Sequence, residues 1–203
     1  MGVSERKERE KRKLRLLILD TAHKIFIKQG YENTSIRNIA KKIEYSPATL
    51  YLYFEDKEDI LYRLKDRYFN EFCDKLNEFH FIKDHFSRLK NMSASYLDYA
   101  LSNQKHYELM FFSNIKNPNK GNQKDPTGEQ KAFSLFRDTV DACLKQNQIR
   151  RMPVEEATNV ILSFLHGLSS LILKDKLTGI PRNRRKDHIQ EVTNRFLISL
   201  KSV

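Results

Sequence analysis

Side chains able to hydrogen-bond to a nucleic acid are grouped between residues 30 and 57 of this 203-residue chain. Thr49, Tyr51 and Tyr53 place hydroxyls and rings on one side of a predicted short helix, next to the small side chain of Ala48. Arg37 lies on the predicted helix before it. Hydroxyl and guanidinium groups bond to phosphate oxygens and base edges in DNA complexes. The residue types therefore predict a surface that contacts DNA.

Two short helices around a tight turn are predicted to carry these side chains. Thr34 or Ser35 can cap the first helix, and Ser46 can cap the second, where Pro47 occupies the first helical position. The apolar residues expected to face inward are Ile36, Ile39, Ala40, Ile43, Leu50 and Phe54. Helices with these start signals and this spacing are typical of a helix-turn-helix unit.

A longer helix on each side is predicted to support this unit. The preceding helix ends at Gly30, a residue that commonly terminates helices. Its apolar face consists of Leu14, Leu17, Ile18, Thr21, Ala22, Ile25 and Phe26. The following helix begins near Lys57, where Asp56 can cap it and Glu58 and Asp59 suit the positive end of the helix dipole.

The first 60 or so residues resemble the TetR family of bacterial regulators. The positions that match the family pattern are Phe26, Gly30, Tyr31, Thr34, Ile39, Ala40, Ser46, Thr49, Leu50, Tyr51, Tyr53, Phe54 and Lys57. Ala48 replaces a frequent glycine but stays small, and Glu44 stands at a turn position where the family usually has glycine. Because a left-handed non-glycine residue costs roughly 1–2 kcal/mol, we expect this turn to be built differently.

The resemblance implies a homodimer whose paired helix-turn-helix units enter successive major grooves of a near-palindromic operator, with half-sites roughly 34–36 Å apart. By resemblance, Arg37 reads a base edge, most favourably guanine, while Pro47 and Ala48 make apolar contacts such as with thymine methyls. The residues implied to meet phosphates or the groove wall are Ser35, Thr49, Tyr51, Tyr53 and Lys57. The alternatives are that Ser35 and Ser46 only cap helices and that one tyrosine packs inward.

The rest of the chain also shows helical periodicity and no alternating strand pattern. The further helices are predicted near residues 85–103, 106–112, 129–146, 154–173 and 187–201. The fold class is therefore all-α, with an N-terminal three-helix helix-turn-helix domain and a larger C-terminal helical domain. We divide the chain into a basic N-terminal arm (1–15), the DNA-binding domain (16–55) and an effector-binding and dimerisation domain (56–203).

By resemblance, the larger domain contains a small-molecule pocket that changes the spacing of the two DNA-reading units. The candidate effector-pocket residues are Phe69, Tyr96, Tyr99, Tyr107, Phe111, Phe136, Phe164 and His166. Aromatic residues at helical spacing also form plain core, and His166 fits a core or interface position as well as an effector contact. The implied effector is a small hydrophobic or aromatic compound, such as a drug-like aromatic or a fatty acyl compound.

The helix predicted over 154–173 is apolar around more of its circumference than one buried stripe needs, so a second face must meet another apolar surface. By resemblance, the last two helices of each subunit form a four-helix dimer interface, in which Gly167 allows close helix approach. The candidate interface residues are Phe164, Leu168, Leu171, Phe196 and Leu200.

Three polar segments have more than one interpretation. The arm is either a solvated tail or a contact to the phosphate backbone. The segment Ser113 to Gly128 is long and rich in Asn, Lys, Pro and Gly, so we expect it to be mobile or disordered rather than functional. The basic connector 174–186 is interpreted as a solvated loop rather than a second nucleic-acid site.

Composition is consistent with an intracellular DNA-binding protein. The chain has 37 Lys and Arg against 26 Asp and Glu, a net charge of +11 that favours an anionic partner such as DNA, RNA or a lipid surface. Cys73 and Cys143 are far apart and indicate neither a disulfide framework nor a zinc ribbon. No run approaches the ~18 apolar residues that cross a bilayer, and no signal-peptide core is present. We expect a soluble cytoplasmic protein without membrane association.

No motif indicates catalysis. The six histidines include no pair at helical ligand spacing, and no phosphate loop, nucleophile elbow or HExxH motif occurs. We therefore predict no catalytic residue, metal site or cofactor, and a DNA-binding transcriptional regulator, preferably a repressor released by an effector. The alternative is a charge-driven, nonspecific nucleic-acid-binding protein, with steep salt dependence and little sequence preference. An enzyme hidden in the C-terminal domain is a further rival.

Overall fold

The computed structural model of the protein describes residues 3–30, 32–118 and 125–202. Within these residues the chain forms nine α-helices and no β-strand, so the predicted all-α fold class is confirmed. The helices are α1 (Val3–Gln29), α2 (Ile36–Lys42), α3 (Pro47–Tyr51), α4 (Lys57–Asn77), α5 (His85–Ser102), α6 (Gln104–Phe111), α7 (Gly128–Lys145), α8 (Val154–Leu173) and α9 (Arg185–Ser199).

Helices α1 to α3 belong to a first compact unit, Met1–Tyr68 with Glu108–Asp125. Helix α2 packs against both α1 and α3. The buried apolar side chains of these helices and the residues just after α3 are Ile18, Ala22, Phe26, Ile36, Ile39, Ala40, Leu50 and Phe54. Their spacing gives each helix one buried face, which is why the predicted helix-turn-helix forms.

Helix α1 begins at Val3, so the described part of the basic arm is helical and continuous with the supporting helix. The arm has almost no apolar residues, which is why the sequence favoured a separate segment. Lysine, arginine and glutamate are nevertheless good helix formers. Arg6 also forms an i,i+4 ion pair with Glu10, with Nε and Oε1 3.1 Å apart, of the kind that supports exposed helices.

The turn between α2 and α3 contains Glu44 in the left-handed region, at φ 60°. The Tyr45 N–H donates to the Ala40 carbonyl at 3.0 Å, and the Glu44 N–H donates to the Lys41 carbonyl at 3.4 Å. These two bonds form the Schellman pattern that commonly ends a helix. The expectation of a differently built turn is therefore wrong. The backbone keeps the left-handed geometry because the two bonds satisfy the last carbonyls of α2, despite the steric cost.

The second compact unit comprises Phe69–Tyr107 with Pro126–Val203. Helices α7 and α9 each pack against both α5 and α8. Its core includes Leu89, Met92, Leu97, Val140, Ile161, Leu165, Ile189 and Leu197. Thr127 and Gln130 form a capping box that fixes the start of α7, because each side chain bonds to the other residue's backbone N–H.

Apart from the N-terminal extension of α1 through the arm, the predicted elements agree with the observed helices to within a few residues at each end. Asp56 caps α4 as expected, its carboxylate accepting from the Asp59 N–H at 2.8 Å. In the 113–128 segment, Ile115 is buried. Residues 119–124 and Tyr31 lie outside the described residues, so the predicted mobility stays a prediction. The functional boundaries at 1–15, 16–55 and 56–203 also remain predictions.

Replacing Glu44 by glycine should raise the free energy of unfolding by about 1 kcal/mol, because glycine adopts the left-handed backbone without a Cβ penalty. Urea unfolding followed by circular dichroism measures this change. Glu44→Ala is the matched control, since it removes the same carboxylate but keeps the Cβ. Equal stability of the two variants would contradict the assignment of strain to this turn.

Candidate nucleic-acid interface and ligand site

Helix α3 separates a buried side from an exposed side within five residues. Leu50 is fully buried, and Phe54, just beyond the helix, is 2% exposed. Tyr51 keeps 58% of its surface exposed. The predicted contact residues on this outer side are all exposed or half-buried: Pro47, Ala48, Thr49, Tyr51 and Tyr53. The structure therefore gathers five of the eight predicted DNA contacts on one surface, which we call the α3 surface.

Serine caps hold both short helices at their first turns. Ser35 Oγ accepts from a backbone N–H in the first turn of α2 at 3.2 Å, and Ser46 Oγ accepts from the Thr49 N–H at 3.1 Å. Thr34, the other candidate cap, is buried and donates to the Gly30 carbonyl at 2.9 Å. Both predicted serine caps are therefore formed. A DNA contact by Ser35 stays a prediction.

The two cationic residues of the predicted contact set differ in their setting. Arg37 is exposed in the first turn of α2. Lys57 is half-buried at the start of α4, and its Nζ donates to the backbone carbonyl of Glu32 at 3.3 Å. Its ammonium group carries three N–H donors. Arg37 has the exposure needed to reach a base edge.

Two residues that sequence reasoning did not single out border the same surface. The Arg15 guanidinium lies over the Phe54 ring, 4.8 Å from its centroid, and donates to the Tyr53 carbonyl at 3.4 Å. Tyr45, directly before the cap of α3, is 44% exposed. An exposed aromatic residue next to a predicted cap was the available signal for Tyr45. The Arg15 contact joins residues 38 apart and had no local signal.

A hydrogen-bonded chain of three side chains lies inside the second unit. The Tyr96 hydroxyl is 2.9 Å from the Tyr107 hydroxyl, which is 2.7 Å from Nδ1 of His166. Phe136 packs edge-on against Tyr96, with ring centroids 6.1 Å apart. Helices α5, α6, α7 and α8 contribute one residue each. The structure thus brings together four of the predicted pocket residues.

Burial sets the protonation states of these three hydrogen-bonded side chains. It raises the pKa of Tyr107 to about 12, raises the pKa of Tyr96 as well, and lowers the pKa of His166 below 6.5. All three side chains are therefore neutral at pH 7, and Nδ1 of neutral His166 can accept a hydrogen bond from the Tyr107 hydroxyl. The three side chains therefore form a neutral hydrogen-bonded network that packs against aromatic rings.

The other predicted pocket residues lie elsewhere. Phe69 and Tyr99 are buried on α4 and α5. Phe111 is half-buried at the end of α6 and falls in the first unit. Phe164 stacks on Phe196, with ring centroids 3.9 Å apart. Phe164 therefore belongs to the contact between α8 and α9, not to the hydrogen-bonded chain.

Helix α8 has a second apolar face. We call the residues of this face the outer stripe: Val160, Phe164, Gly167 and Leu171. Their spacing places them on one side of the helix, where Val160 is 41% and Leu171 46% exposed. Leu168, from the predicted interface set, adjoins this stripe on its core-facing flank, one turn from Phe164 and from Leu171, and is 9% exposed. Phe196 and Leu200, at the end of α9, are half-buried.

The described residues contain no group of His, Cys, Asp and Glu able to hold a metal ion. Cys73 and Cys143 are buried. Burial raises the pKa of the Cys143 thiol to about 12, and a thiol with a raised pKa is a poor nucleophile.

Two family models match the chain. One, described as bacterial regulatory proteins of the tetR family, matches residues 18–64. The other, described as a tetracyclin repressor-like C-terminal domain, matches residues 89–195, more than half of the chain. The chain belongs to the TetR family. The members of this family are transcriptional regulators, not enzymes.

Curated relatives carry regulator names. The uncharacterised HTH-type transcriptional regulator YuxN of Bacillus subtilis is 38% identical over 65 residues, covering 32% of this chain and 21% of YuxN. A fatty acid metabolism regulator protein of Bacillus subtilis is 28% identical, covering 50% of this chain and 48% of that protein. The match to these two therefore spans less than half of their lengths. IcaR of Staphylococcus epidermidis, a negative transcriptional regulator of the biofilm operon icaADBC, is 24% identical over 89% of this chain and 97% of IcaR.

Solved structures share the fold. A protein of unknown function from Rhodococcus sp. RHA1 has a TM-score of 0.75 and 19% identity, covering 93% of this chain and 96% of that one. The fatty acid degradation regulator FadR of Bacillus halodurans has a TM-score of 0.65 and 18% identity, covering 91% and 94%. These likenesses support the TetR fold alone.

Helix α8 has the length and mean hydropathy, 1.3, of a bilayer span, the one such helix among the described residues. Its first turn nevertheless carries Glu155 and Glu156. The core helix of a soluble protein passes the same test. In a TetR-family regulator, a helix that is apolar on two faces suits packing to the core on one side and to another apolar surface on the other.

Replacing Tyr107 by phenylalanine should lower the free energy of unfolding by about 1–3 kcal/mol, because Tyr96 and His166 each lose a buried hydrogen-bond partner. Urea unfolding measures the loss. The control Tyr45→Phe removes a hydroxyl from an exposed ring and should change stability by less than about 0.5 kcal/mol. If both variants were equally stable, the hydrogen-bonded chain would carry no net stabilisation.

Acid should destabilise the protein partly through His166. Its folded pKa lies below 6.5, so the unfolded chain binds a proton at a higher pH than the folded chain does. The contribution of His166 to the free energy of unfolding is therefore complete above about pH 6.5 and is lost as the pH decreases toward the folded pKa. Urea unfolding between about pH 7.5 and pH 5.5 should show a smaller fall for His166→Asn, which keeps an acceptor near Nδ1. His80→Asn removes an exposed imidazole and is the control; the same fall in wild type and His166→Asn would exclude this role.

Proposed function

We propose that this TetR-family chain is a homodimeric, sequence-specific DNA-binding repressor that a small-molecule effector releases from a near-palindromic operator. The observation that carries the proposal is the division of α3, which buries Leu50 beside Phe54 and exposes a face of hydroxyls, a ring and small side chains. Charge-driven binding alone requires no such division. A regulator of this kind acts in the bacterial cytoplasm, where its operator lies.

Base reading is assigned to three exposed residues. Arg37 can donate two hydrogen bonds to a guanine edge, and Pro47 and Ala48 can contact thymine methyls. A second group of residues would hold the protein in position along the duplex by offering hydroxyl or ammonium groups to phosphates: Ser35, Thr49, Tyr51, Tyr53 and Lys57. In this arrangement the second group contributes affinity at any sequence, while the first group decides among sequences.

The outer stripe of α8 supports self-association. It exposes Val160 and Leu171 on either side of Gly167, where an added Cβ would meet nothing within 4 Å. A glycine in an exposed apolar stripe permits close approach of a second helix. At the end of α9, Ile198 is 55% exposed, and Phe196 already stacks on Phe164. Pairing α8 and α9 of two copies would bury these side chains and produce the two-fold symmetry that a palindrome requires.

The chain of Tyr96, Tyr107 and His166 is the proposed polar end of the effector site. Its groups are neutral and surrounded by rings, which favours a hydrophobic or aromatic effector with one polar function. Two relatives are named for fatty acid metabolism or degradation, which favours an acyl chain as a first candidate. An effector that lowers operator affinity tenfold must favour the non-binding conformation by about 1.4 kcal/mol.

The α3 surface is tested by measuring binding to DNA from upstream of the protein's own gene and to a scrambled duplex of the same composition. Tyr51→Ala should weaken binding about tenfold or more, because a hydrogen bond to a charged group contributes about 1.5–3 kcal/mol. Arg37→Ala should lower the preference for the upstream DNA by about 1–3 kcal/mol per half-site. Fluorescence anisotropy across a salt series gives both quantities.

Phe81→Ala is the matched control, because it removes a ring that is 70% exposed in the second unit and has no assigned DNA contact. It should bind like wild type. If the wild type binds the upstream DNA specifically and neither Tyr51→Ala nor Arg37→Ala changes that binding, the α3 surface does not contact the DNA. Equal wild-type affinity for both duplexes would favour the charge-driven alternative.

A further inference from the structure

A groove of about 560 Å³ runs along the N-terminal part of α1 in the first unit. Its walls include Lys7, Lys11 and Lys13 from α1 and the rings of Tyr45 and Tyr53 from the segments next to α3. We call it the arm groove. The proposed DNA contacts include Tyr53 but none of the other four residues.

The register of α1 directs lysines into this groove. Lys7 and Lys11 precede Leu14 and Ile18 at spacings of four, three and four residues, so all four lie on one side of the helix. Ile18 on this side is fully buried. The side of α1 that packs into the unit at Ile18 is therefore occupied by Lys7 and Lys11 closer to the N-terminus. A face that changes from apolar to cationic at the edge of the core is suited to an anionic neighbour rather than to protein packing.

The arm groove is fixed relative to α3 by contacts within the unit. Arg15 joins α1 to the end of the α3 segment through the Phe54 ring and the Tyr53 carbonyl. Tyr45 precedes the α3 cap, and Tyr53 follows the helix by two residues. Tyr45 and Tyr53 therefore lie just before and just after α3 in the chain, so a duplex bound to the α3 surface would extend past both rings.

The positive charge of the arm groove also favours an anionic occupant. The groove lining holds three lysines and one glutamate, Glu10, which pairs with the Arg6 guanidinium at 3.1 Å. Lys7 and Lys11 lie one helical turn apart, about 6 Å along the axis. Ammonium groups and tyrosine hydroxyls are donors that commonly bind phosphate oxygens.

We propose that the arm groove holds the sugar-phosphate backbone of the duplex that α3 reads, with Lys7 and Lys11 as the principal phosphate contacts and Tyr45 and Tyr53 as the opposite wall. The proposal rests on the proposed DNA-binding function. It assigns to the helical arm a contribution to affinity that is independent of base sequence, because phosphates are present at every position.

The test compares two double variants with the same charge change on the same helix. Lys7→Gln with Lys11→Gln removes the groove cations. Arg9→Gln with Arg12→Gln removes cations that are exposed and do not line the groove. Affinity of the full-length proteins for the upstream DNA and for a scrambled duplex of about 30 base pairs is measured against salt concentration, since each phosphate contact contributes about 0.9 to the slope of log K against log salt.

The expected result is a slope reduced by about 1.8 per bound protomer for the groove variant on both duplexes, and a change less than half as large for the Arg9 and Arg12 variant. Unaltered circular dichroism confirms that the arm stays helical. Equal slopes for the two double variants would overturn the proposal, whether or not those slopes differ from the wild-type slope. A wild type that does not prefer the upstream DNA would contradict the proposed function instead, while the comparison on the scrambled duplex still decides the arm groove.

Discussion

The burial of Leu50 and Phe54 is the constraint on which the DNA-reading surface depends. A helix of five residues has no stability of its own, because one turn of helix fixes more backbone freedom than its hydrogen bonds repay. Burial of two large apolar side chains contributes about 1.5–3 kcal/mol each. The Ser46 cap satisfies a free N–H. Helix α3 therefore exists only in the orientation that buries these two residues, and that orientation determines which side chains remain outside.

Local signals were sufficient for much of this fold. Serine caps, Pro47 and apolar periodicity predicted α2 and α3, and Asp56 predicted the start of α4. The turn at Glu44 was predicted wrongly, because residue preference gives only the steric cost of a left-handed glutamate and not the carbonyl groups of α2 that the turn satisfies. The helical arm was missed for a related reason: hydrophobic periodicity, which indicates most helices, is absent over residues 5–13, where every side chain is charged.

Contacts between distant residues were beyond prediction from the sequence. Tyr107 and His166 are 59 residues apart, and the aromatic-rich composition that nominated Tyr107 also nominated Phe164, which stacks on α9 instead. Periodicity could show that α8 is apolar on two sides but not which leucine faces the core, so Leu168 was grouped with the exposed Leu171. The two proposed functions of the larger domain thus use different sides of α8: one side carries His166, which hydrogen-bonds to Tyr107, and the outer stripe offers a surface to a second copy.

In the proposed complex, two copies of the α3 surface read one duplex symmetrically. The most direct measurement is selection of duplexes from a random library by the full-length protein, followed by sequencing of the bound DNA. Symmetric reading by two copies predicts an inverted repeat whose half-sites are centred about 34–36 Å apart, roughly one turn of B-DNA. Bound sequences that show no enrichment, or a single half-site without a symmetric partner, would contradict it.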